Sequence, residues 1–354
     1  MGKVLIAMSG GVDSSVAAYL LKHSGWDCVG ATMTLYRNKD IGISRSRTCC
    51  SLEDVEDARS VAFRLRIPYY VFNFSDEFRR QVMDRFADAY GQGRTPNPCI
   101  DCNRYLKFRH LYDRAALLGC DTIATGHYAR IERENGRYLL KKALDASKDQ
   151  SYVLYMLTQE QLAHTQFPLG ALRKAETRQL ADSLGFFNAR KPDSQDICFV
   201  PDGDYAAFIR RHTGKEDTPG DFVDEDGHIL GRHKGITHYT VGQRKGLGVP
   251  SNHPLYVKAI DPAHNRVVLS GNDALFSRQL TAGDFNWIAW DVPPRQFRCS
   301  AKARYRHPEQ PCEVTVREDG TVEVVFDQPQ RAITPGQAVV LYDGDTVLGG
   351  GTIL

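Results

Sequence analysis

The stretch that most constrains the fold of this chain is SGGVDS, residues 9–14. It follows an apolar run at residues 4–8 and precedes another at 16–21, an order that predicts a strand, a glycine-rich turn and a helix. Two adjacent glycines let the backbone approach a ligand closely, and the first N–H groups of the helix have no partner within it. The turn is therefore either an anion-binding site, with phosphate as the expected ligand, or a plain tight turn.

The residue sequence of this stretch differs from two common nucleotide-binding motifs. No Gly-Lys-Ser/Thr ending is present, so it is not a Walker loop, and no third glycine is spaced for a dinucleotide fingerprint. SGGVDS is similar instead to the pyrophosphate loop of the ATP-pyrophosphatase superfamily. That resemblance implies cleavage of ATP between the α and β phosphates and adenylation of a carbonyl-type oxygen.

The order of the other segments predicts a fold class and three domains. Strand-like runs at 28–35, 69–74 and 121–125 alternate with helical patterns, which favours an α/β fold with a doubly wound parallel sheet. From about residue 213 short β-rich runs recur between glycines and prolines, which indicates a small barrel or sandwich. We predict a catalytic domain at 1–206, an α+β linking domain at 207–275 and a C-terminal β-barrel domain at 276–354.

Composition and charge limit the location and the partners. No run approaches 18 apolar residues and the N-terminus leads directly into a predicted strand, so we expect a cytoplasmic protein without a membrane span. The net charge of +2 argues against a nucleic-acid partner. Residues 231–310, however, hold twelve Lys and Arg against five Asp and Glu. This basic region suits a polyanionic partner, the alternative being an unevenly charged solvated surface.

Three of the nine cysteines stand in segments stiffened by proline. Cys99 and Cys102 form a CxxC pair within residues 92–103, which we predict to be an exposed loop. Such a pair can be a redox dithiol, half of a zinc site or part of an iron–sulfur site. Cys198 lies in KPDSQDICFVP, residues 191–201. The neighbouring Cys49 and Cys50 are interpreted as structural or incidental, because adjacent cysteines rarely bridge.

Further motifs extend the resemblance over nearly the whole chain. In order they are GATMTLY, CCSLEDVEDAR, TPNPCIDCN, TGHYAR, KDQSYVLY, KPDSQDICFVP, GITHYTVGQRKGLG and GGGTI. With SGGVDS they identify the chain as similar to the bacterial tRNA-specific 2-thiouridylase family. The resemblance implies ATP-dependent replacement of oxygen by sulfur at C2 of the wobble uridine of tRNA, with Mg²⁺ neutralising the phosphates.

The resemblance also implies the roles of the cysteines. Cys198 carries the incoming sulfur as a persulfide and Cys102 is its partner thiol. Either Cys102 releases sulfide and leaves a Cys102–Cys198 disulfide, or the persulfide attacks directly and Cys102 resolves it. Many relatives have Asp where this chain has Cys99. Cys99, Cys102 and Cys198 are therefore three potential ligands of a [4Fe-4S] cluster, which is the alternative mechanism.

Binding residues carry over in the same way. Those implied for ATP are Ala7, Met8, Ser9, Gly10, Gly11, Val12, Asp13, Ser14, Met33 and Gly126. Those implied for tRNA are His127, Lys148, Asp149, Gln150, Arg304, Tyr305 and Gln337. The target uridine must leave its stack in the anticodon stem-loop to be reached. The family also implies a sulfur-donor protein, either a cysteine desulfurase or a sulfur-relay protein.

Two other functions compete with this interpretation. One is another ATP-pyrophosphatase, either an amidotransferase-type synthetase or a tRNA thiolase that acts on a different base. The other is a non-catalytic RNA-binding protein with a redundant nucleotide fold. An intact SGGVDS stretch and two proline-bounded cysteine segments favour an enzyme.

Overall fold

The computed structural model describes residues 2–37, 41, 52–193 and 197–354. Cys49 and Cys50 lie outside these residues, as do residues 194–196 of the segment that leads to Cys198. The chain divides into two compact units. Unit 1 comprises Met1–Val82, Cys99–Gly203 and Gly344–Val347, and unit 2 comprises Met83–Pro98, Asp204–Asp343 and Leu348–Leu354.

The elements are numbered along the chain. The strands are β1 (Lys3–Ala7), β2 (Asp27–Thr34), β3 (Tyr69–Asn73), β4 (Thr122–Ala124), β5 (Arg130–Glu134), β6 (Arg137–Lys141), β7 (Thr165–Gln166), β8 (Gly220–Val223), β9 (Ile229–His233), β10 (Tyr256–Asp261), β11 (Arg266–Ser270), β12 (Phe276–Trp287), β13 (Gln296–Lys302), β14 (Gln310–Val316), β15 (Val322–Arg331), β16 (Ala338–Asp343) and β17 (Thr346–Ile353). The α-helices are α1 (Val12–His23), α2 (Leu52–Arg64), α3 (Ser75–Phe78), α4 (Asp84–Gly91), α5 (Pro98–Asp101), α6 (Leu111–Leu117), α7 (Gln159–Ala163), α8 (Lys174–Ser183) and α9 (Tyr205–Thr213).

Unit 1 contains a five-stranded sheet in the order β3-β2-β1-β4-β7, with every pair parallel. Val4, Leu5 and Ile6 of β1 are fully buried, as expected for a strand covered on both faces. Val16 of α1 and Val61 of α2 belong to the same apolar cluster as β1. The predicted parallel α/β fold is confirmed, and β1 is the strand from which the order proceeds in both directions.

Helical structure around the CxxC pair begins earlier than the sequence predicts. α5 is followed directly by a π-helix, Cys102–His110, and then by α6. The loop predicted over residues 92–103 is therefore wrong from Pro98 onward. Proline suits the first turn of a helix, where its missing N–H would have no partner in any case.

A hairpin of β5 and β6 turns at Asn135 and Gly136, as the Asn-Gly pair predicts. Both residues have positive φ, 49° and 83°. Lys141 at the end of β6 pairs with Thr346.

Unit 2 contains two β-structures. Strands β8 to β11 form a four-stranded sheet in the order β10-β11-β8-β9, with Phe222, Val257 and Val267 in its core. Strands β12 to β17 form a six-stranded barrel, closed because β12 pairs with both β15 and β17. The predicted C-terminal barrel is confirmed. None of the helices in the described part of the chain has the length and apolar content needed to cross a membrane.

Candidate active site

The glycine loop, residues 9–14, joins the carboxyl end of β1 to α1. Gly10 has φ +74°, and a Cβ there would collide with the carbonyl oxygen of Asp54. Ser14 closes the loop, because its Oγ accepts from the Ser9 N–H at 3.1 Å and donates to the Gly11 carbonyl at 3.0 Å. The loop is thus preformed, with the N-terminus of a 12-residue helix at its end.

A buried amide ties the loop to the segment that follows α8. Asn188 donates from Nδ2 to the Gly10 carbonyl and to Ser15 Oγ, each at 2.9 Å, and is 2% exposed. Sequence reasoning missed Asn188, because it lies 178 residues from Gly10 and belongs to no motif.

Gly126 stands beside the loop because β4 is the parallel neighbour of β1. A Cβ at Gly126 would lie 2.8 Å from the Ser14 nitrogen and 2.9 Å from the Asp13 carbonyl carbon. Glycine is therefore required at this close approach. Met33, another residue implied for ATP, lies near the end of β2, the other neighbour of β1.

The carboxylate of Asp13 is held by two groups that the sequence did not indicate. Lys174 Nζ lies 2.8 Å from Oδ1 and 2.7 Å from Oδ2 of Asp13. Tyr128 Oη donates to Asp13 Oδ1 at 2.9 Å. Burial, more than the adjacent carboxylate, raises the pKa of Tyr128, so the phenol remains a donor.

Asp193, five residues before Cys198, forms ion pairs with three cationic side chains. Lys148, Lys174 and Arg178 each place a nitrogen 2.8 Å from its carboxylate. Burial alone would raise the pKa of Asp193, but the hydrogen bonds from Lys148 and Lys174 outweigh it and lower the pKa to about 2. Asp193 is therefore ionised at neutral pH.

The two cysteines implied for catalysis both belong to unit 1. Cys102 begins the π-helix and is half-buried. Burial raises the pKa of its thiol to about 11, although Lys107 opposes this rise. Cys198 is half-buried, and its backbone carbonyl accepts a hydrogen bond from Tyr36 Oη at 2.7 Å. Cys99, three residues before Cys102 on the same helical run, is exposed.

His127 is buried between Thr125 and Lys107. Its Nδ1 lies 2.7 Å from Thr125 Oγ1 and its Nε2 lies 3.4 Å from Lys107 Nζ. Burial, and then the Lys107 charge, lower the pKa of His127 well below its usual range. The imidazole is therefore neutral, with Nε2 able to accept from the ammonium.

The side chains of Lys148, Asp149 and Gln150 bond to other residues of unit 1. Asp149 accepts from the Ala143 N–H at 3.0 Å and from Ser151 Oγ at 2.7 Å. Gln150 Oε1 accepts from the Tyr128 N–H at 2.8 Å. Each side chain of the run makes a contact that shapes unit 1.

The remaining residues implied for tRNA belong to unit 2. Arg304 donates to the Val241 carbonyl at 3.0 Å and also to Thr334, and Tyr305 beside it is 38% exposed. Gln337 donates to the Thr95 carbonyl at 2.7 Å. Tyr305 is thus the exposed member of this set.

A parallel sheet with a glycine loop after its first strand is typical of nucleotide-binding α/β proteins. The family model described as "tRNA methyl transferase HUP domain" matches residues 2–202. "tRNA methyl transferase PRC-barrel domain" matches 206–271, and "Aminomethyltransferase beta-barrel domain" matches 277–353.

Relatives along the full length identify the family. A tRNA-specific 2-thiouridylase MnmA 1 of Thermoanaerobacter sp. (strain X514) is 54% identical over 99% of this chain and 97% of its own length. The tRNA-specific 2-thiouridylase MnmA of Clostridioides difficile (strain 630) is 51% identical over 99% of this chain and 98% of its own. The chain belongs to the tRNA-specific 2-thiouridylase family.

A solved 4-thiouridine synthetase–RNA complex with bound ATP is 21% identical, with a TM-score of 0.39, over 56% of this chain and 45% of its own.

Proposed function

We propose that this protein is a tRNA-uridine 2-sulfurtransferase that uses ATP to replace the C2 oxygen of the wobble uridine, U34, by sulfur. The observation that carries the proposal is the preformed glycine loop at the carboxyl end of β1, in a chain similar to 2-thiouridylases over 99% of its length. A uracil C2 carbonyl is a poor electrophile, because the ring nitrogens donate into it. Adenylation converts its oxygen into a leaving group, which explains why an ATP loop and sulfur-carrying cysteines belong to one protein.

In this proposal residues 7–14 bind the phosphates of ATP, while Met33 and Gly126 contact the adenosine. Gly126 lies directly beside the loop, since a Cβ on it would be 2.8 Å from the Ser14 nitrogen, so its backbone borders the proposed phosphate site. Asp13 offers carboxylate oxygens of the kind that Mg²⁺ prefers, and the ion would neutralise phosphate charge there. Asp13 is paired with Lys174 in this structure, so loading Mg²⁺ at Asp13 would compete with that pair.

Sulfur transfer follows adenylation in two steps, and a third step regenerates the two thiols. The Cys102 thiolate attacks the Cys198 sulfur of the persulfide, which releases hydrosulfide and forms a Cys102–Cys198 disulfide. Hydrosulfide attacks C2 and expels AMP, after which an external dithiol reduces the Cys102–Cys198 disulfide and is itself oxidised to a disulfide. Because burial keeps Cys102 protonated, the nearby Lys107 cation is the group that favours its thiolate. Direct attack by the persulfide, resolved by Cys102, is the other course.

A [4Fe-4S] cluster held by Cys99, Cys102 and Cys198 is the alternative form of the site. Cys99 and Cys102 are three residues apart on one helical run, so their side chains lie on neighbouring positions of one face. This spacing suits two thiolate ligands of one cluster. When bound, a cluster with one open iron would hold the sulfur to be transferred.

The tRNA contacts are proposed for both units. In unit 2, Arg304 and Tyr305 suit phosphate and splayed bases, and Gln337 belongs to the same implied set. In unit 1, His127 is buried and Lys148 is paired with Asp193, so the exposed edges of this region would meet the RNA first. A sulfur-donor protein, a cysteine desulfurase or relay protein, completes the reaction, and a tRNA substrate favours the cytoplasm.

The decisive experiment is nucleoside mass spectrometry of a tRNA transcript incubated anaerobically with ATP, Mg²⁺, a dithiol reductant, and a cysteine desulfurase with L-cysteine as the sulfur source. Protein purified without iron is compared with protein after cluster reconstitution. 2-Thiouridine from iron-free protein supports the persulfide course, whereas product from reconstituted protein alone makes the three cysteines cluster ligands. Sulfur on another base, or tRNA binding without any ATP-dependent product, would support the competing functions instead.

Cysteine variants distinguish the persulfide mechanism from the cluster mechanism. Cys198→Ala and Cys102→Ala are each expected to abolish thiolation with tRNA affinity nearly unchanged, because neither thiol supplies much binding energy. Cys99→Ser is the matched variant: it retains thiolation in the persulfide course and loses it in the cluster course.

A further inference from the structure

The backbone of Cys198 is held by a buried hydroxyl from the sheet. Tyr36 Oη donates to the Cys198 carbonyl at 2.7 Å, across 162 residues of sequence. Tyr36 is 3% exposed and follows β2, whose carboxyl end lies at the same edge of the sheet as the glycine loop. One hydrogen bond thus connects the nucleotide edge of the sheet to the residue proposed to carry sulfur.

A pair of buried aromatic rings packs beside Tyr36 and orients its ring. Its centroid lies 5.7 Å from the ring of Phe78, and Phe78 meets Phe199 edge-on at 5.6 Å. Phe78 and Phe199 are 0% and 1% exposed. The residue after Cys198 is therefore packed into the same aromatic cluster that orients Tyr36.

The other side of the segment is held by charge. Asp193 precedes Cys198 by five positions and bonds to Lys148, Lys174 and Arg178. These cations come from the turn before residue 151 and from α8. Ion pairs therefore hold Asp193, and the Tyr36 hydroxyl holds the backbone of Cys198.

We propose that the Tyr36 hydroxyl is a positioning group for Cys198, which fixes the sulfur-carrying residue so that sulfur, rather than water, reaches the adenylated carbon. The proposal rests on the sulfurtransferase function proposed above. If Cys198 is misplaced, water attacks C2, expels AMP and regenerates uridine, so ATP is consumed without thiolation. The measurable consequence is a change in coupling rather than a change in ATP binding.

The test is Tyr36→Phe, which removes the hydroxyl and keeps the ring. Tyr69→Phe is the matched control, since Tyr69 Oη bonds instead to Thr32 and to the Val55 carbonyl, at 2.6 and 3.2 Å. In a reaction with tRNA, ATP, Mg²⁺, a cysteine desulfurase, L-cysteine and a dithiol reductant, the amounts of 2-thiouridine and AMP formed are both measured. We expect about a tenfold lower yield of 2-thiouridine per AMP in Tyr36→Phe and an unchanged ratio in Tyr69→Phe.

A second readout needs no turnover. The rate at which iodoacetamide alkylates Cys198, followed by peptide mass spectrometry, should rise about fivefold in Tyr36→Phe and stay unchanged in Tyr69→Phe. An unchanged ratio together with an unchanged alkylation rate overturns the role of Tyr36, even where overall activity falls. If the wild-type protein makes no 2-thiouridine, the proposed function itself is wrong, and the alkylation rates alone then decide whether Tyr36 holds Cys198.

Discussion

Lys174 joins two carboxylates of unit 1, with its Nζ 2.7 Å from Asp13 Oδ2 and 2.8 Å from Asp193 Oδ1. Asp13 belongs to the glycine loop, and Asp193 opens the segment that leads to Cys198. A single ammonium therefore links the proposed ATP site to the proposed sulfur site. A phosphate anion arriving at the loop would compete with both carboxylates for this cation.

Replacing Lys174 by Met should destabilise unit 1. The lysine side chain is 10% exposed, and its removal leaves Asp13 and Asp193, at 31% and 27% exposed, short of a cation. Partial solvation of both carboxylates moderates the cost, which we expect to be about 2 kcal/mol in the free energy of urea unfolding. Arg190→Met is the control, because its ion pair with Asp182 is long, 3.9 Å, and exposed. Equal stability of the two variants would show that the Lys174 bridge contributes nothing.

The reactivity of Cys102 should depend on pH in a way set by its burial. Because burial raises the pKa of the thiol to about 11, the thiolate is scarce at neutral pH and increases up to that value. Alkylation of Cys102 by iodoacetamide should therefore rise about tenfold per pH unit from 7.5 and continue rising where N-acetylcysteine has levelled off. Lys107→Met should slow the reaction at pH 9, since Lys107 favours the thiolate. A plateau near pH 8.5 in the wild-type protein would contradict the raised pKa of Cys102.

The sequence predicts those parts of the fold that depend on the backbone conformation of a few neighbouring residues. The Asn135-Gly136 turn requires two positive φ angles, and in SGGVDS the backbone of Gly10 lies close to the backbone of Asp54. Both requirements favour glycine, so the residue types predict these two structures. The bounds of β12 are hard to predict, because its exposed residues, such as Ser277 and Gln279, interrupt the apolar pattern. β17 is also hard to predict, because three consecutive glycines, Gly349 to Gly351, are typical of a turn, whereas here a Cβ on Gly351 would collide with the ring of Phe285.

The site could be predicted only where the resemblance supplied residues. Tyr36, Lys174 and Asn188 act through partners more than 150 positions away, and each has an ordinary local sequence. Such contacts arise when the parallel sheet brings strand ends together, which a single sequence does not reveal. The burial of His127 likewise could not be predicted from the sequence.

Arg304 should contribute one phosphate contact to tRNA binding. Arg304→Gln is expected to weaken binding and to reduce the slope of log K against log salt by about 0.7 to 0.9. Arg295→Gln is the matched control in the same barrel domain, since Arg295 is 79% exposed and pairs loosely with Glu318 at 3.7 Å. Fluorescence anisotropy of labelled tRNA at several salt concentrations gives the slopes. An unchanged slope in Arg304→Gln would mean that Arg304 serves only the Val241 carbonyl and Thr334.

Cys299 and Cys312 should form a disulfide when the protein is oxidised. They are directly opposed on β13 and β14, their Sγ atoms lie 3.8 Å apart, and Cys312 is fully buried. Opposed Cα atoms in an antiparallel pair are about 4.5 to 5.5 Å apart, a separation that disulfides span. The thiol–thiol contact, and then burial, raise the pKa of Cys299, so the reaction should be slow at neutral pH and faster as pH rises.

The oxidant for this test is diamide, which takes two hydrogens from the thiol pair and becomes the hydrazine. Peptide mass spectrometry should show Cys299 and Cys312 linked, and the oxidised protein should gain about 3 kcal/mol in the free energy of urea unfolding, because the link closes a short loop of the unfolded chain. Cys312→Ser removes the link and the gain while Cys299 remains open to alkylation. Oxidised wild-type protein without a Cys299–Cys312 peptide, or with the stability of Cys312→Ser, would show that the two strands hold the thiols out of bonding reach.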